Sequence, residues 1–312
     1  MNTGQGIRDG LDVRVWLALL TVYLVWGATY LGIRLALEGF PPFLLGAGRY
    51  AVAGVALYAL LRARGKPAPT PQEWKGAAVA GSLLFAGGNG LVTFAQQWVL
   101  SGLASVVLAT VPLWAAVFSG LSGRWPGGWE RVGLLVGFTG VVLLQWDRDL
   151  RSQPFGAAVL LVAAVLWAAG SVWSQRTRLP SGPMGSAAQM LAGAAALLAL
   201  SVLSGERVAG PLPAGVWAAA AYLTVFGSLL GFSAYAYLLR RVRASLATSY
   251  AYVNPLVAVT LGATVLGESI SPQGLGGMAL ILAGVSLVLV GRGESGKLER
   301  VLVEVTDGGG GR

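Results

Sequence analysis

Ten mainly apolar stretches follow one another along the chain, each ended by a short polar break or one rich in glycine and proline. They are Val15–Leu37, Phe43–Leu61, Gly76–Gln97, Leu103–Ser122, Arg131–Trp146, Phe155–Gln175, Met184–Leu203, Gly215–Leu239, Ala244–Leu266 and Gly274–Gly291. A bilayer's hydrocarbon core takes about 20 helical residues to cross. Within lipid only a helix or a closed barrel satisfies its own backbone. The pattern therefore predicts an all-α integral membrane protein with ten transmembrane helices. The breaks carry the right chemistry: Phe40-Pro41-Pro42 ends the first span, and Arg62 to Lys75 separates the second from the third. Arg124-Trp125-Pro126-Gly127-Gly128 ends the fourth, Ser181-Gly182-Pro183 precedes the seventh, and Ser271-Pro272 precedes the tenth.

The second five stretches repeat the first five. Trp26 and Ala28 map onto Trp167 and Ala169 with an offset of 141. Leu103, Ala104, Pro112 and Leu113 map onto Leu246, Ala247, Pro255 and Leu256 with an offset of 143. Gly133, Gly140, Val141 and Leu143 map onto Gly277, Gly284, Val285 and Leu287 with an offset of 144. Five is odd, so the second copy must enter the membrane from the opposite side. The expected organisation is a cytoplasmic N-terminus at 1–14, a first five-helix repeat at 15–147, an inverted second repeat at 155–291, and a disordered cytoplasmic tail at 292–312. An inverted repeat places a substrate site near the midplane, where the copies meet, as in secondary transporters.

Composition sharpens this. The chain is 55% hydrophobic and only 11% charged, with a mean hydropathy of +0.68, whereas soluble domains carry about 25% charged residues. The net charge of +9 lies in the gaps between apolar runs, where it sets orientation and does not point to nucleic acid. With the N-terminus inside, cytoplasmic segments hold 17 basic residues and outer loops 4. Both termini are then cytoplasmic, in a bacterial-type inner membrane. The first span is full length and lacks a small-residue cleavage site, so it is expected to stay as an uncleaved helix. There is no cysteine and no histidine, so no thiolate or imidazole metal site is expected, nor any cofactor.

Polar side chains within a bilayer are costly and mark interior surfaces. Asn89, Thr93 and Gln97 continue an i, i+4 row from Phe85 in the third span, either as a cavity wall or as interhelical hydrogen-bonding groups. Tyr23, Trp26 and Tyr30 share a face of the first span, and Trp167, Ser171 and Ser174 share one of the sixth. Two tryptophans at corresponding mid-span positions suit a cavity that encloses a substrate, with packing as the alternative. Tyr250 and Asn254 stand one turn apart before Pro255. Pro255 and its counterpart Pro112 can kink their helices as gating hinges or as static bends. Arg49 is the one basic residue well inside a span. It can attract a substrate carboxylate, tie to helix-end carbonyls, or snorkel to the headgroups. Gly133/Gly137 and Gly227/Gly231 are expected to mark close helix packing. The substrate-binding candidates are thus Trp26, Tyr30, Asn89, Thr93, Trp167, Ser171, Tyr250 and Asn254.

Trp26-Gly27-Ala28-Thr29-Tyr30, Gly48-Arg49-Tyr50, Asn254-Pro255-Leu256, Gly267-Glu268-Ser269 and the glycine-rich start of the tenth span resemble the EamA-type ten-helix transporters of the drug/metabolite transporter superfamily. The resemblance covers about Val15 to Val290. One departure is Gly123-Arg124, where many members carry a glutamate like Glu268. The resemblance implies export, or sometimes uptake, of small polar metabolites such as amino acids. The expected partners are a small-molecule substrate and lipid, with a homodimer left open.

The expected function is alternating-access transport of a small polar or amphipathic metabolite. The alternative within transporters is a proton-coupled multidrug antiporter, which needs an intramembrane carboxylate, and all 13 acidic residues fall in loops, tails or span ends. An integral membrane enzyme lacks convergent acids or His to work with. No phosphate-cradling Gly-x-x-x-x-Gly-Lys-Ser/Thr motif is present for an ATP-driven pump. No unwound, glycine-rich mid-span segment is evident either.

Overall fold

A computed structural model describes residues 12–99, 104, 107–144, 154–266 and 272–288, which form helices and turns with no strand among them. Ten helices of ten or more residues stand among the described residues. We number them α1 (Val13–Ala36), α2 (Pro42–Ala63), α3 (Pro71–Ala95), α4 (Val111–Leu121), α5 (Gly128–Leu144), α6 (Pro154–Ser174), α7 (Pro183–Leu203), α8 (Ala214–Arg241), α9 (Tyr250–Leu266) and α10 (Pro272–Val288). Six of them, α1, α2, α3, α6, α7 and α8, are long and apolar enough to cross a membrane. The other four are shorter, and α5, α9 and α10 abut residues outside the described set. Leu103, Trp146, Gly267-Glu268-Ser269 and the tail at 292–312 also lie outside it.

Local signals set the helix ends. The Asp12 side chain accepts from the Arg14 amide to cap α1. Thr70 and Glu73 form a capping box at α3. α2 and α7 end alike: Gly65 (φ 74°) and Gly205 (φ 66°) take the left-handed conformation that only glycine adopts at low cost. Each is followed by an amide reaching back to the last turn, Lys66 to Leu61 and Glu206 to Ser201. The two caps are 140 residues apart.

The middle of α3 and of α8 is wound wide. Ser82–Gly90 and Leu223–Phe232 are π-helical, and the two segments start 141 residues apart, the offset that relates Trp26 to Trp167. Bonding from i to i+5 rather than i+4 is rare and concentrates at functional sites. These are the glycine-bearing irregular mid-span segments that the sequence pattern conceals.

α2 packs along α7, α3 along α6, and α1 along α9. α5 and α10 approach backbone to backbone. A Cβ on Gly133 would come within 2.6 Å of the Gly284 carbonyl, and one on Gly140 within 2.9 Å of the Gly277 carbonyl. As numbering rises along α5 it falls along α10, so the two run antiparallel. Gly133 and Gly137 thus mark close packing, as expected. Gly227 and Gly231 instead lie under Thr29 and Trp26 of α1. Leu17, Leu20, Leu24 and Leu31 of α1 are exposed, the arrangement of a helix whose outer face meets hydrocarbon.

Candidate functional site

The wide segments converge on a cavity of ≈ 70 Å³ in the middle of the bundle. α1 lines it with Trp26, Thr29 and Tyr30, α2 with Arg49 and Tyr50, and α3 with Phe85, Gly88, Asn89 and Val92. Residues 108 and 111 at the start of α4, Ala163 and Trp167 of α6, Gly227 and Phe232 of α8, and Tyr250, Ala251 and Asn254 of α9 complete the wall. Small-molecule pockets usually enclose about 300–1,000 Å³, so this cavity is smaller than a typical ligand site.

Aromatic rings form the floor. Trp26 stands edge-on to Trp167 (5.5 Å between centroids) and to Tyr250 (4.7 Å), and Tyr235 packs 5.2 Å from Trp26. The polar handles of Trp26, Trp167 and Tyr235 are satisfied, as burial demands. Trp26 Nε1 donates to the Gly227 carbonyl in the wide part of α8 at 3.0 Å. Trp167 Nε1 donates to the Tyr235 hydroxyl at 3.2 Å, which also bonds Ser171 Oγ at 2.6 Å. The Tyr23 hydroxyl meets Ser249 at 2.7 Å, and the Asn254 amide donates to the Tyr23 and Tyr250 carbonyls at 3.3 and 3.1 Å.

Beyond this floor lies a second space, a vestibule of ≈ 910 Å³ lined by Arg124, Glu130, Gln175, Arg240, Arg243 and others. Along α6 the cavity ends at Trp167 and the vestibule begins at Ser174; along α8 the corresponding residues are Phe232 and Leu239. Ser171 and Tyr235 lie in the gap.

Carboxylates from one half fasten the other at both ends of the bundle. Glu206, after α7, accepts from the Phe43 and Leu44 amides at 3.1 and 2.8 Å, where the α2 N-terminus favours a negative charge. Glu130 in the first turn of α5 accepts from Arg243 at 3.1 Å and from Ser245.

Arg49 is 5% exposed. Its Nε donates to Ser228 at 3.0 Å and its Nη2 to the Tyr50 hydroxyl at 2.9 Å. The guanidinium lies 4.5 Å from the centre of the Tyr50 ring. Its Nη1 has no partner, nor does Asn89 Oδ1 on the same cavity. Arg49 therefore neither snorkels nor ties to helix-end carbonyls.

Of the residues singled out from sequence, Trp26, Tyr30, Arg49, Asn89, Trp167, Tyr250 and Asn254 come together on the cavity. Thr93 and Ser171 do not line it. The Thr93 hydroxyl bonds the Asn89 carbonyl at 2.9 Å, and Ser171 sits behind Trp167 on Tyr235. Gln97 is exposed at the end of α3 and bonds the Phe94 carbonyl. The i, i+4 row assumed a straight stripe, whereas the cavity face of α3 steps by three from Asn89 to Val92 and leaves Thr93 and Gln97 off it. Pro112 lies in the first turn of α4, after a turn at Ala109–Thr110, so it starts a helix rather than bending one. Pro255 lies inside α9 and cannot donate to Ala251, one turn back on the cavity wall. Sequence reasoning missed Tyr235, which touches Trp26, Trp167 and Tyr250. Its spacing of three from Phe232 was the available signal.

An all-helical, multi-pass membrane protein with a central cavity between two similar halves is the class these features define. The sequence profile of the EamA-like transporter family matches the chain twice, over residues 14–146 and 154–290, and the chain belongs to that family. It is 41% identical over 276 residues to the uncharacterized inner membrane transporter YedA of Escherichia coli (strain K12), covering 88% of this chain and 90% of that one. It is 28% identical over 289 residues to a protein of Streptantibioticus cattleyicolor named "Probable terminal-alkyne amino-acid exporter", covering 89% and 94%. A solved structure at 23% identity superposes with a TM-score of 0.74 over 90% of this chain and 99% of the other, which shows a shared fold.

Proposed function

We infer that this chain is a secondary transporter, not an enzyme, and that it moves a small polar or amphipathic metabolite, an amino acid or a related compound, across a bacterial inner membrane by alternating access. Ten helices cross the membrane as two inverted five-helix repeats with both termini in the cytoplasm. The antiparallel contact of α5 with α10, counterparts in the two halves, supports the inversion. The single observation that carries the reading is the small cavity and wide vestibule on opposite sides of the aromatic floor. One opening is nearly shut while the other is broad, as a carrier open to one side at a time requires. The 17 to 4 basic bias puts the vestibule, with Arg124, Arg240 and Arg243, on the cytoplasmic side. Trp26, Tyr30, Asn89, Trp167, Tyr250 and Asn254 contact the substrate.

No acidic residue lines the cavity among the described residues. A carboxylate proton relay through it has no group to use, which weighs against a proton-coupled multidrug antiporter. Substrate flows down its own gradient.

The test is counterflow and net uptake of labelled amino acids in proteoliposomes at matched and unmatched pH. Exchange without a pH gradient, abolished by Asn89→Ala or Trp167→Ala in folded protein, is the expected outcome. Accumulation driven by the pH gradient alone would sink the uncoupled mechanism.

A further inference from the structure

We propose that Arg49 is the charge filter of the central site: the cargo carries a carboxylate that docks on Arg49 Nη1, with an apolar or aromatic body held among the surrounding rings. This rests on the transporter reading above and narrows it from polar metabolites to organic acids, zwitterions among them, excluding simple organic cations.

The argument starts from cost. A guanidinium 5% exposed in a low-dielectric bundle is expensive unless a counter-charge compensates it. Arg49 has none. The one salt bridge among the described residues joins Arg243 to Glu130, and the partners of Arg49 are two neutral hydroxyls and an aromatic face. Ser228 and Tyr50 take Nε and Nη2 and hold the fork rigid, leaving Nη1 buried and unpartnered on a residue that lines the cavity. Arginine's planar donors match a carboxylate better than a lysine ammonium would.

A second observation is independent of Arg49. Asn89 Oδ1, on a different helix but the same cavity, is also buried and unpartnered. It can accept from an ammonium or hydroxyl of the cargo. Two unfilled hydrogen-bonding groups of opposite kind, in a cavity otherwise walled by Trp26, Tyr30, Phe85 and Trp167, describe a ligand with an anionic head, an optional donor beside it, and an apolar remainder. A lone ammonium compound would face the guanidinium with nothing to offset the repulsion.

Three probes share one phenyl body and differ only in charge: 3-phenylpropanoate, L-phenylalanine and 2-phenylethylamine. The full chain in nanodiscs is titrated with each, reading tryptophan fluorescence, since Trp26 and Trp167 flank the cavity, and thermal protection. Both carboxylates should bind at least about tenfold more tightly than the amine. Arg49→Gln should weaken carboxylate binding about ten- to a hundredfold, and Arg49→Lys, which keeps the charge but loses the fork, should restore part of it. If Arg49→Gln fails to fold, the three-probe comparison on the unaltered chain decides alone. Equal affinity for amine and acids overturns the proposal, as does carboxylate binding unchanged in folded Arg49→Gln. So does protection by chloride or acetate equal to that by 3-phenylpropanoate, which would make this an inorganic anion site. Counterflow of the same probes separates the two readings: transport of the amine as well as the acids keeps the transporter and removes the filter. Carboxylate binding without movement of any probe keeps the anion site and removes the transporter.

Discussion

Trp26 in the first half and Trp167 in the second stand 5.5 Å apart at the same relative position, yet their indole N–H groups go to different acceptors, a backbone carbonyl of α8 and the Tyr235 hydroxyl. The same split recurs elsewhere. At the 141-residue offset of the wide segments, Phe85 and Gly90 correspond to Phe226 and Gly231, but Asn89 corresponds to Leu230, which is 47% exposed. At the 140-residue offset of the two glycine caps, Arg49 corresponds to the uncharged Gln189. The halves keep the same caps, wide turns and glycine seam, while the charge and the free amide on the cavity come from the first half alone. Scaffold and chemistry are therefore separable, and substitutions at corresponding positions should divide into two classes.

The largest effect falls on the shared scaffold. Gly133→Leu and Gly284→Leu should each destabilise the bundle by about 3 kcal/mol or more, because a side chain there meets backbone that cannot yield. Both should lose monodisperse protein on size exclusion, and to a similar extent. A large difference between them would show that the seam is not shared equally.

The chemistry should respond one-sidedly. Asn89→Leu, which gives the first half the second half's residue, should cut transport about five- to tenfold while the protein stays folded, since a hydrogen bond to a polar cargo is worth about 1–1.5 kcal/mol. The reverse change, Leu230→Asn, alters an exposed position. It should reduce the amount of inserted protein and leave transport per molecule unchanged.

A smaller contrast separates the tryptophans. Trp26→Phe removes the bond to the Gly227 carbonyl, at a cost of about 1 kcal/mol. Trp167→Phe leaves Tyr235 still bonded to Ser171 and should cost about half as much, as read by thermal unfolding in detergent. The smallest change in transport is expected for Tyr235→Phe. It removes two bonds from the aromatic floor and leaves the buried Trp167 N–H without its acceptor, so it should lower stability by about 1–3 kcal/mol with transport largely kept.

What was legible in the sequence follows the same division. Helix periods, glycine and proline breaks and matching tryptophans leave their mark in residue order, so Trp26, Trp167, Tyr250, Asn254 and the α5 glycines could be placed in advance. The wide winding of α3 could not, because the same residues suit an ordinary helix. Thr93 and Gln97 were grouped with Asn89 by a spacing of four, whereas the cavity face steps by three from Asn89 to Val92. Tyr235 was hidden for another reason. It acts by touching Trp167 and Ser171 across the bundle, a contact between residues more than sixty apart. Arg49 was visible, but its free nitrogen was not, since only the positions of Ser228 and Tyr50 reveal which donors are spent.

The glycine seam has one more consequence. Gly133 meets Gly284 while Gly140 meets Gly277, and Gly133 corresponds to Gly277 as Gly140 does to Gly284. Each contact is thus the mirror of the other, the reciprocity that defines a two-fold, self-complementary interface between identical subunits. At this seam α5 and α10 meet as the members of a dimer meet, though both belong to one polypeptide. That joining frees it from a dimer's arithmetic. In a symmetric pair, an arginine at position 49 would force a second one into the buried place of Gln189 in the other half. A single continuous chain can hold one.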